Sequence, residues 1–197
     1  NTVRTWIANE AKFVKSLDHK HMVTAGGEGH GLVQTPNGPF QWARTDEGDG
    51  NSPFYVQNVP NIDFVNFHPY PNASWAQFTF AQTKALVAGE VAMGLKTGKP
   101  VVMEEYGIDR AQPITDVGGQ VIQPTAASYL PTRVTWYDAM LAQCYENGCA
   151  GSNVWMIADW SDANLNVNIY LPAADAARDV PLLKVFDRWA QTVEHAR

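Results

Sequence analysis

Residues 100–110 read P-V-V-M-E-E-Y-G-I-D-R. An apolar run of strand type ends in two adjacent glutamates, Glu104 and Glu105, then turns at Tyr106-Gly107. Gly98-Lys99-Pro100 before it is a helix stop. Strand side chains alternate between faces. Glu105 therefore shares a face with Val101 and Met103, and Glu104 shares one with Val102. If the strand belongs to a barrel, one carboxylate points into the mouth and the other sideways. Alternation by itself does not say which.

Working outward, the same unit recurs. Short apolar strands are expected at Met22–Ala25, Ile62–Phe67, Val101–Glu105 and Cys149–Met156. Helices are expected at 2–17, 75–96, 132–147 and 181–195, with a short one at 54–58. Val3, Trp6, Ile7, Phe13, Val14 and Leu17 give the first helix its period, and Pro181 opens the last one. Strands separated by helices imply a parallel sheet with right-handed crossovers. The long loops (26–52, 108–131 and 157–180) all follow strands. That places a functional site beyond the carboxyl ends of the strands. Gly26-Gly-Glu-Gly-His-Gly31 is a weak near-miss for a phosphate loop, because no helix pattern starts behind it.

Composition bounds the partners. The 197 residues are 45% apolar and 17% charged, which suits one core-forming domain over 1–197. The net charge of −6 argues against nucleic acid or an anionic membrane. No apolar run approaches the roughly 20 residues of a membrane span. Cys144 and Cys149 form neither a C-x-x-C motif nor a zinc set. They are either two buried thiols or a local disulfide, and a disulfide would suit an exported protein. Asn72-Ala73-Ser74 is a glycosylation triplet of the kind that arises by chance.

Polar groups recur at the strand ends. Glu28 follows the first strand, His68 and Tyr70 the second, Glu104 and Glu105 the third, and Asn153 and Trp155 the fourth. Trp42, Trp75 and Trp160 lie in turn-rich surroundings. A carboxylate, a histidine, a tyrosine and a tryptophan at successive strand ends suit a sugar subsite. The acid attacks or stabilises an oxocarbenium-like centre, and the indole is a stacking floor. No spacing supports a metal at Glu28, His30 and His68, and no cofactor is expected.

V-V-M-E-E-Y-G, F-H-P-Y-P and V-T-A-G-G-E-G together resemble glycoside hydrolase family 5, especially its β-mannan-active members. K-S-L-D-H-K-H-M-V-T resembles the segment leading to the family's fifth strand. P-N-I-D-F-V-N-F-H-P-Y-P resembles the sixth strand, G-K-P-V-V-M-E-E-Y-G the seventh, and S-N-V-W-M the eighth. The resemblance implies the C-terminal half of a (β/α)8 TIM barrel and retaining hydrolysis of β-1,4-mannan or mannosides. It implies Glu105 as nucleophile, with Glu104 in a supporting place. His68 and Tyr70 match the family's H-x-Y, where the tyrosine hydrogen-bonds the nucleophile. Trp155 matches the platform at the catalytic subsite. Glu28 matches a substrate-contacting acid, and Trp75 lies in a loop that often carries a further subsite Trp. Asn153 and Trp160 complete the expected substrate contacts.

The family's acid/base belongs to an Asn-Glu pair at the end of strand four. Asn9-Glu10 is the tempting match, but too little helix follows it for a crossover to the next strand. Residues 2–17 fit instead as the helix before strand five. Strands one to four and the acid/base are thus expected from an N-terminal barrel half or from a second copy of the chain. An extracellular location is expected. Endo against exo action, mannan against β-glucan, and a non-hydrolytic carbohydrate-binding half-barrel all stay open.

Overall fold

The computed structural model describes residues 2–28, 32–33, 41–42, 53–74, 76–158, 166–170 and 178–195. The elements in chain order are α1 (Thr2–Leu17), β1 (Leu32–Val33), β2 (Gln41–Trp42), α2 (Pro53–Gln57), β3 (Val65–Phe67), α3 (Phe80–Leu95), β4 (Val101–Met103), β5 (Ile114–Thr115), β6 (Val121–Ile122), α4 (Tyr129–Glu146), β7 (Gly151–Ser152), β8 (Ile157–Ala158), β9 (Ile169–Tyr170) and α5 (Val180–His195). They build two compact units. The first comprises Asn1–Pro69, Ala85–Glu105 and Cys144–Ser152; the second comprises Tyr70–Lys84, Tyr106–Gln143 and Asn153–Arg197.

The centre of the first unit is a parallel sheet in the order β3-β4-β7. Val65 pairs with Val101 and Phe67 with Met103, while Val102 pairs with Gly151. Val65, Phe67, Val101 and Met103 are buried, as strands covered by helices require. Met22–Ala25, expected as a strand, forms none. The segment still runs beside β3, held where Asp63 N donates to Val23 O and His68 N donates to Glu28 O. A buried side chain takes the place of ladder bonds there. Gln57 Nε2 donates to Asn66 O at 3.0 Å and its Oε1 accepts from Asn66 N at 2.9 Å. The primary amide of Gln57 thus satisfies the edge of β3 as a neighbouring backbone would.

Two expected boundaries move. The helix predicted from Trp75 begins at Phe80, because Thr79 and Gln82 form a reciprocal cap: Thr79 N donates to Gln82 Oε1, and Gln82 N donates to Thr79 Oγ1. The T-x-x-Q spacing is itself a start signal in the sequence. In the loop predicted over 108–131, β5 and β6 pair as an antiparallel hairpin. Its turn is closed by Asp116 Oδ1 accepting from Gly118 N and Gln120 N, with Gly119 at a φ of +85°. The expected strand at Cys149–Met156 is regular only at Gly151–Ser152. Most of the predicted 26–52 and 157–180 loops lies outside the described residues.

Helix α1 forms where its period predicts, but only Ile7 and Ala11 are buried, against Val56, Val59 and Ile62. Trp6 and Phe13, predicted to face a core, are 61% and 60% exposed. Lys99 Nζ, from the helix-stop triplet, donates to Val59 O and Ile62 O at 2.6 Å each and so ties the segment between α2 and β3 to the start of β4. Cys144 and Cys149 are free buried thiols. Hydrogen bonding to Cys149, together with burial, raises the Cys144 pKa and keeps that group protonated.

Glu90 sits in the otherwise apolar run 85–95 of α3, 1% exposed, and neither carboxyl oxygen has a hydrogen-bond partner among the described residues. Burial drives its pKa well above the usual carboxylate value, so the folded protein holds it as the neutral acid. A raised folded pKa means the native state binds this proton more tightly than the unfolded chain. Its contribution is therefore fully present below the unfolded value of about 4.3 and is lost as pH rises towards the folded value. Glu90→Gln should leave stability near wild type at pH 4 and increase it at pH 8 in urea denaturation. An equal effect at both pH values would mean that the carboxyl does not titrate across this range.

In the second unit Tyr106, Tyr137 and Phe186 form an edge-on aromatic cluster with centroids 5.6–6.4 Å apart. Tyr137 Oη accepts from Ile108 N, and Trp136 Nε1 donates to Thr115 O, which anchors α4 to the segment after β4 and to the hairpin. Asn72, from the glycosylation triplet, is 1% exposed. Its Nδ2 donates to Asp109 O at 2.7 Å and its Oδ1 accepts from Asp109 N at 2.8 Å. Asn72 is thus a structural lock, with its amide committed on both sides and closed to a glycan.

Candidate active site

Strand β4 stops at Met103, so the regular pleat ends before the glutamates. Both carboxylates reach the same imidazole. His68 Nε2 lies 3.1 Å from Glu104 Oε2, and its Nδ1 lies 3.8 Å from Glu105 Oε2. Glu28 Oε1 is also 3.8 Å from Nδ1. His68 is 7% exposed, against 27% for Glu104 and 31% for Glu105. Three carboxylates from two segments, Glu28 from one and Glu104 with Glu105 from the other, therefore surround one buried ring. Glu104, whose N donates to Phe67 O at 3.1 Å, and Glu105 approach the ring from its two different nitrogens.

The proton positions follow from donor chemistry. A carboxylate only accepts, so in the tautomer with its hydrogen on Nε2 His68 donates to Glu104. Asn66 Nδ2 is 3.2 Å from the same nitrogen, and its own hydrogen bond goes to Gly27 O, also at 3.2 Å. Asn66 Oδ1 accepts from Thr24 Oγ1 at 2.7 Å. Thr24 and Asn66 thus wall the ring on the side of the first segment. The sequence reading did not include Asn66, although its place two residues before His68 puts both on one side of the strand.

In the second unit, Trp155 N donates to Tyr106 O at 3.1 Å, and the Trp155–Met156 peptide is cis. Trp155 is 41% exposed and Asn153 is exposed, while Tyr70 is half-buried. Gly107 explains why a glycine follows Tyr106. A Cβ there would stand 2.9 Å from Trp155 O, 3.0 Å from the Tyr70 ring and 3.2 Å from Val167 Cβ. The absent side chain lets the backbone of Trp155 and the ring of Tyr70 close on one point. Gly107→Ala must displace both, at about 1–3 kcal/mol by analogy with overpacked cores. Urea denaturation should show that loss, and an unchanged midpoint would mean the contacts relax freely. Trp75, Trp160 and His30 lie outside the described residues. Asn9 and Glu10 are exposed in the middle of α1 rather than at a strand end. Among the described residues no group of three or more His, Cys, Asp or Glu side chains could hold a metal. None of their helices is long and apolar enough to cross a membrane.

In the first unit, carboxylates clustered on a histidine just past the carboxyl ends of parallel strands stand where α/β folds place their sites. The family comparison agrees: residues 1–182 match the family described as "GH family 5 beta-mannosidase-like", and the chain belongs to that glycoside hydrolase family. It is 35% identical over 108 residues to the probable mannan endo-1,4-β-mannosidase A-2 of Aspergillus terreus, covering 55% of this chain and 26% of that protein. It is 34% identical over 103 residues to mannan endo-1,4-β-mannosidase A of Aspergillus aculeatus, covering 52% and 26% of the two chains. The endo-β-1,4-mannanase of Thermotoga petrophila superposes with a TM-score of 0.69 at 21% identity, over 97% of this chain and 40% of that one. An endo-β-1,4-glucanase of Xanthomonas axonopodis pv. citri gives 0.62 at 11% identity, over 97% and 55%. The chain thus spans about a quarter of the length of the fungal relatives it matches and about half or less of these structures.

Proposed function

We propose that the protein carrying this chain is a retaining endo-glycosidase of β-1,4-linked mannan, acting outside the cell, with Glu105 as nucleophile. The observation that carries the reading is the buried His68 held between Glu104, Glu105 and Glu28 within 3.1–3.8 Å. The family, and the names of the fungal relatives, supply the substrate class. Glu105 attacks the anomeric carbon, and a glycosyl ester forms as the glycosidic C–O bond breaks. A second carboxylic acid protonates the leaving oxygen, and as a base it then activates the water that hydrolyses the ester. Glu104 fixes the His68 ring through Nε2, and the ring's other nitrogen faces Glu105 and Glu28. Tyr70 keeps the catalytic role that the H-x-Y resemblance implies, Asn153 and Trp155 contact the sugar, and Trp75 and Trp160 are substrate-binding residues on the same resemblance.

The acid/base belongs to the first half of a (β/α)8 barrel, of which this chain is the C-terminal half. The exposed apolar face of α1, with Trp6, Phe13 and Leu17, supports a covering partner of that kind. So does the 40% share of the mannanase structure. The retaining pair should stand about 5–5.5 Å apart. A 2-deoxy-2-fluoro mannoside trap followed by peptide mass spectrometry tests the assignment in the full-length protein. A label on Glu105 supports it, and a label on Glu104 or Glu28 overturns it. A trap by the fluoro-glucoside alone would move the substrate to β-glucan.

A further inference from the structure

Away from these carboxylates, the last turn of α4 closes in a backbone loop whose two ends are both cysteines. Cys149 N donates to Cys144 O at 2.9 Å, and Gly148 N donates to Tyr145 O at 3.1 Å. Gly148 supplies the left-handed residue, at a φ of +95°. Those two bonds and that glycine define a Schellman cap, in which the side chains at the ends of the outer bond meet. An apolar pair commonly fills that contact; here it is Cys144 and Cys149. Their sulfurs share an acceptor, since Gly151 O lies 3.3 Å from Cys149 Sγ and 3.8 Å from Cys144 Sγ. A thiol–thiol hydrogen bond joins the pair.

Two cysteines can be bridged only when their Cα atoms are within about 7 Å and their side chains point together. A backbone hydrogen bond between the two residues themselves, with their thiols in contact, meets both conditions. The loop is also reachable. Glu146, Asn147, Gly148 and Ala150 are exposed, whereas Cys149 is 8% exposed and Cys144 0%. Cys149 is therefore the sulfur that meets an external reagent first. The hydrogen bond from Cys144 also holds the Cys149 thiol below its usual range, which favours the nucleophilic thiolate.

We infer that Cys144 and Cys149 form a dithiol–disulfide site, oxidised by an external disulfide to a bond that staples the last turn of α4 to the approach to β7. The Cys149 thiolate attacks one sulfur of the oxidant, forming a mixed disulfide and releasing one thiolate. Cys144 then gives up its proton and attacks the Cys149 sulfur, so the internal bond forms and the second thiolate leaves. Two protein thiols are oxidised, one external disulfide is reduced to two thiols, and the two protons pass to those thiols. The bond is absent in a reducing compartment and present in an oxidising one. This site is separate from the proposed hydrolysis and is tested without it. The folded full-length protein would be held with about 1 mM glutathione disulfide, then alkylated under denaturing conditions and digested at glutamate. Cleavage after Glu146 separates the two cysteines unless a bond joins them. The expected product is a linked pair of peptides, about 2 Da lighter than the two free-thiol peptides together. Oxidation should raise the urea midpoint by about 0.5 M, and dithiothreitol should reverse the rise. The double variant Cys144→Ser/Cys149→Ser should lack that rise. Both cysteines recovered alkylated, either one recovered only as a glutathione adduct, or a midpoint that oxidation does not raise beyond the double variant's response would overturn the proposal.

Discussion

Glu105→Gln should reduce turnover of β-1,4-manno-oligosaccharides by about three orders of magnitude or more, while binding changes little. The substitution removes the attacking oxygen's charge and keeps its shape, so the loss falls on the bond-making step. Glu104→Gln is the informative control. Its carboxylate accepts a 3.1 Å hydrogen bond from buried His68, and a glutamine oxygen still accepts there. Only the charge assistance goes, roughly 1 kcal/mol or a little more, so the rate should fall about five- to tenfold. Measured as kcat on the full-length protein, the reverse order would exchange the two roles. Near-normal turnover by Glu105→Gln would end the nucleophile assignment.

The second large effect is on stability. Arg133 and Asp179 are each 1% exposed and pair at 3.2 Å. Arg133→Met leaves the Asp179 carboxylate buried, with the Tyr170 amide as one hydrogen bond and Arg178 Nε, 3.9 Å away, as its cation. Breaking a buried pair from one side costs about 3–5 kcal/mol when no other cation remains, and the 3.9 Å contact of Arg178 puts the expected loss towards the lower end. The double variant Arg133→Met/Asp179→Asn should recover much of that, since the buried charge is gone. Urea denaturation of both proteins distinguishes the cases. A loss below about 1 kcal/mol in the single variant would show that water reaches Asp179.

Both variants concern groups that a linear reading treats unequally. Glu105 stands in a motif whose family resemblance gives it a role, and the two glutamates and His68 were expected at neighbouring strand ends. That they meet through the two nitrogens of a single ring was not legible, because His68 and Glu104 lie 36 residues apart and the meeting depends on the register of β3 against β4. Arg133 drew no notice at all: it is one arginine in a helix, and its partner is 46 residues away. Asn72 would be read from its triplet as a surface residue, whereas its buried amide bonds to the backbone of Asp109.

The sequence by itself determined the bounds of α1 and α5, the strands at β3 and β4 with the helices that follow them, and the E-E-Y-G and H-x-Y-P motifs that carry the family resemblance. These are local properties: hydrophobic period, helix stops and residue adjacency act within a few residues of chain. The hairpin of β5 and β6 and the Thr79–Gln82 cap were equally local and readable from D-V-G-G and T-x-x-Q. Only the tertiary structure decided that Met22–Ala25 lies beside β3 without forming a strand, because Gln57, 9 residues before Asn66, occupies its hydrogen bonds. Tertiary structure alone likewise left the stripe of α1 exposed and made Gly107 the point where Trp155 and Tyr70 close. Such meetings depend on strand register and on the paths of loops between distant segments, and no short window of sequence contains both partners.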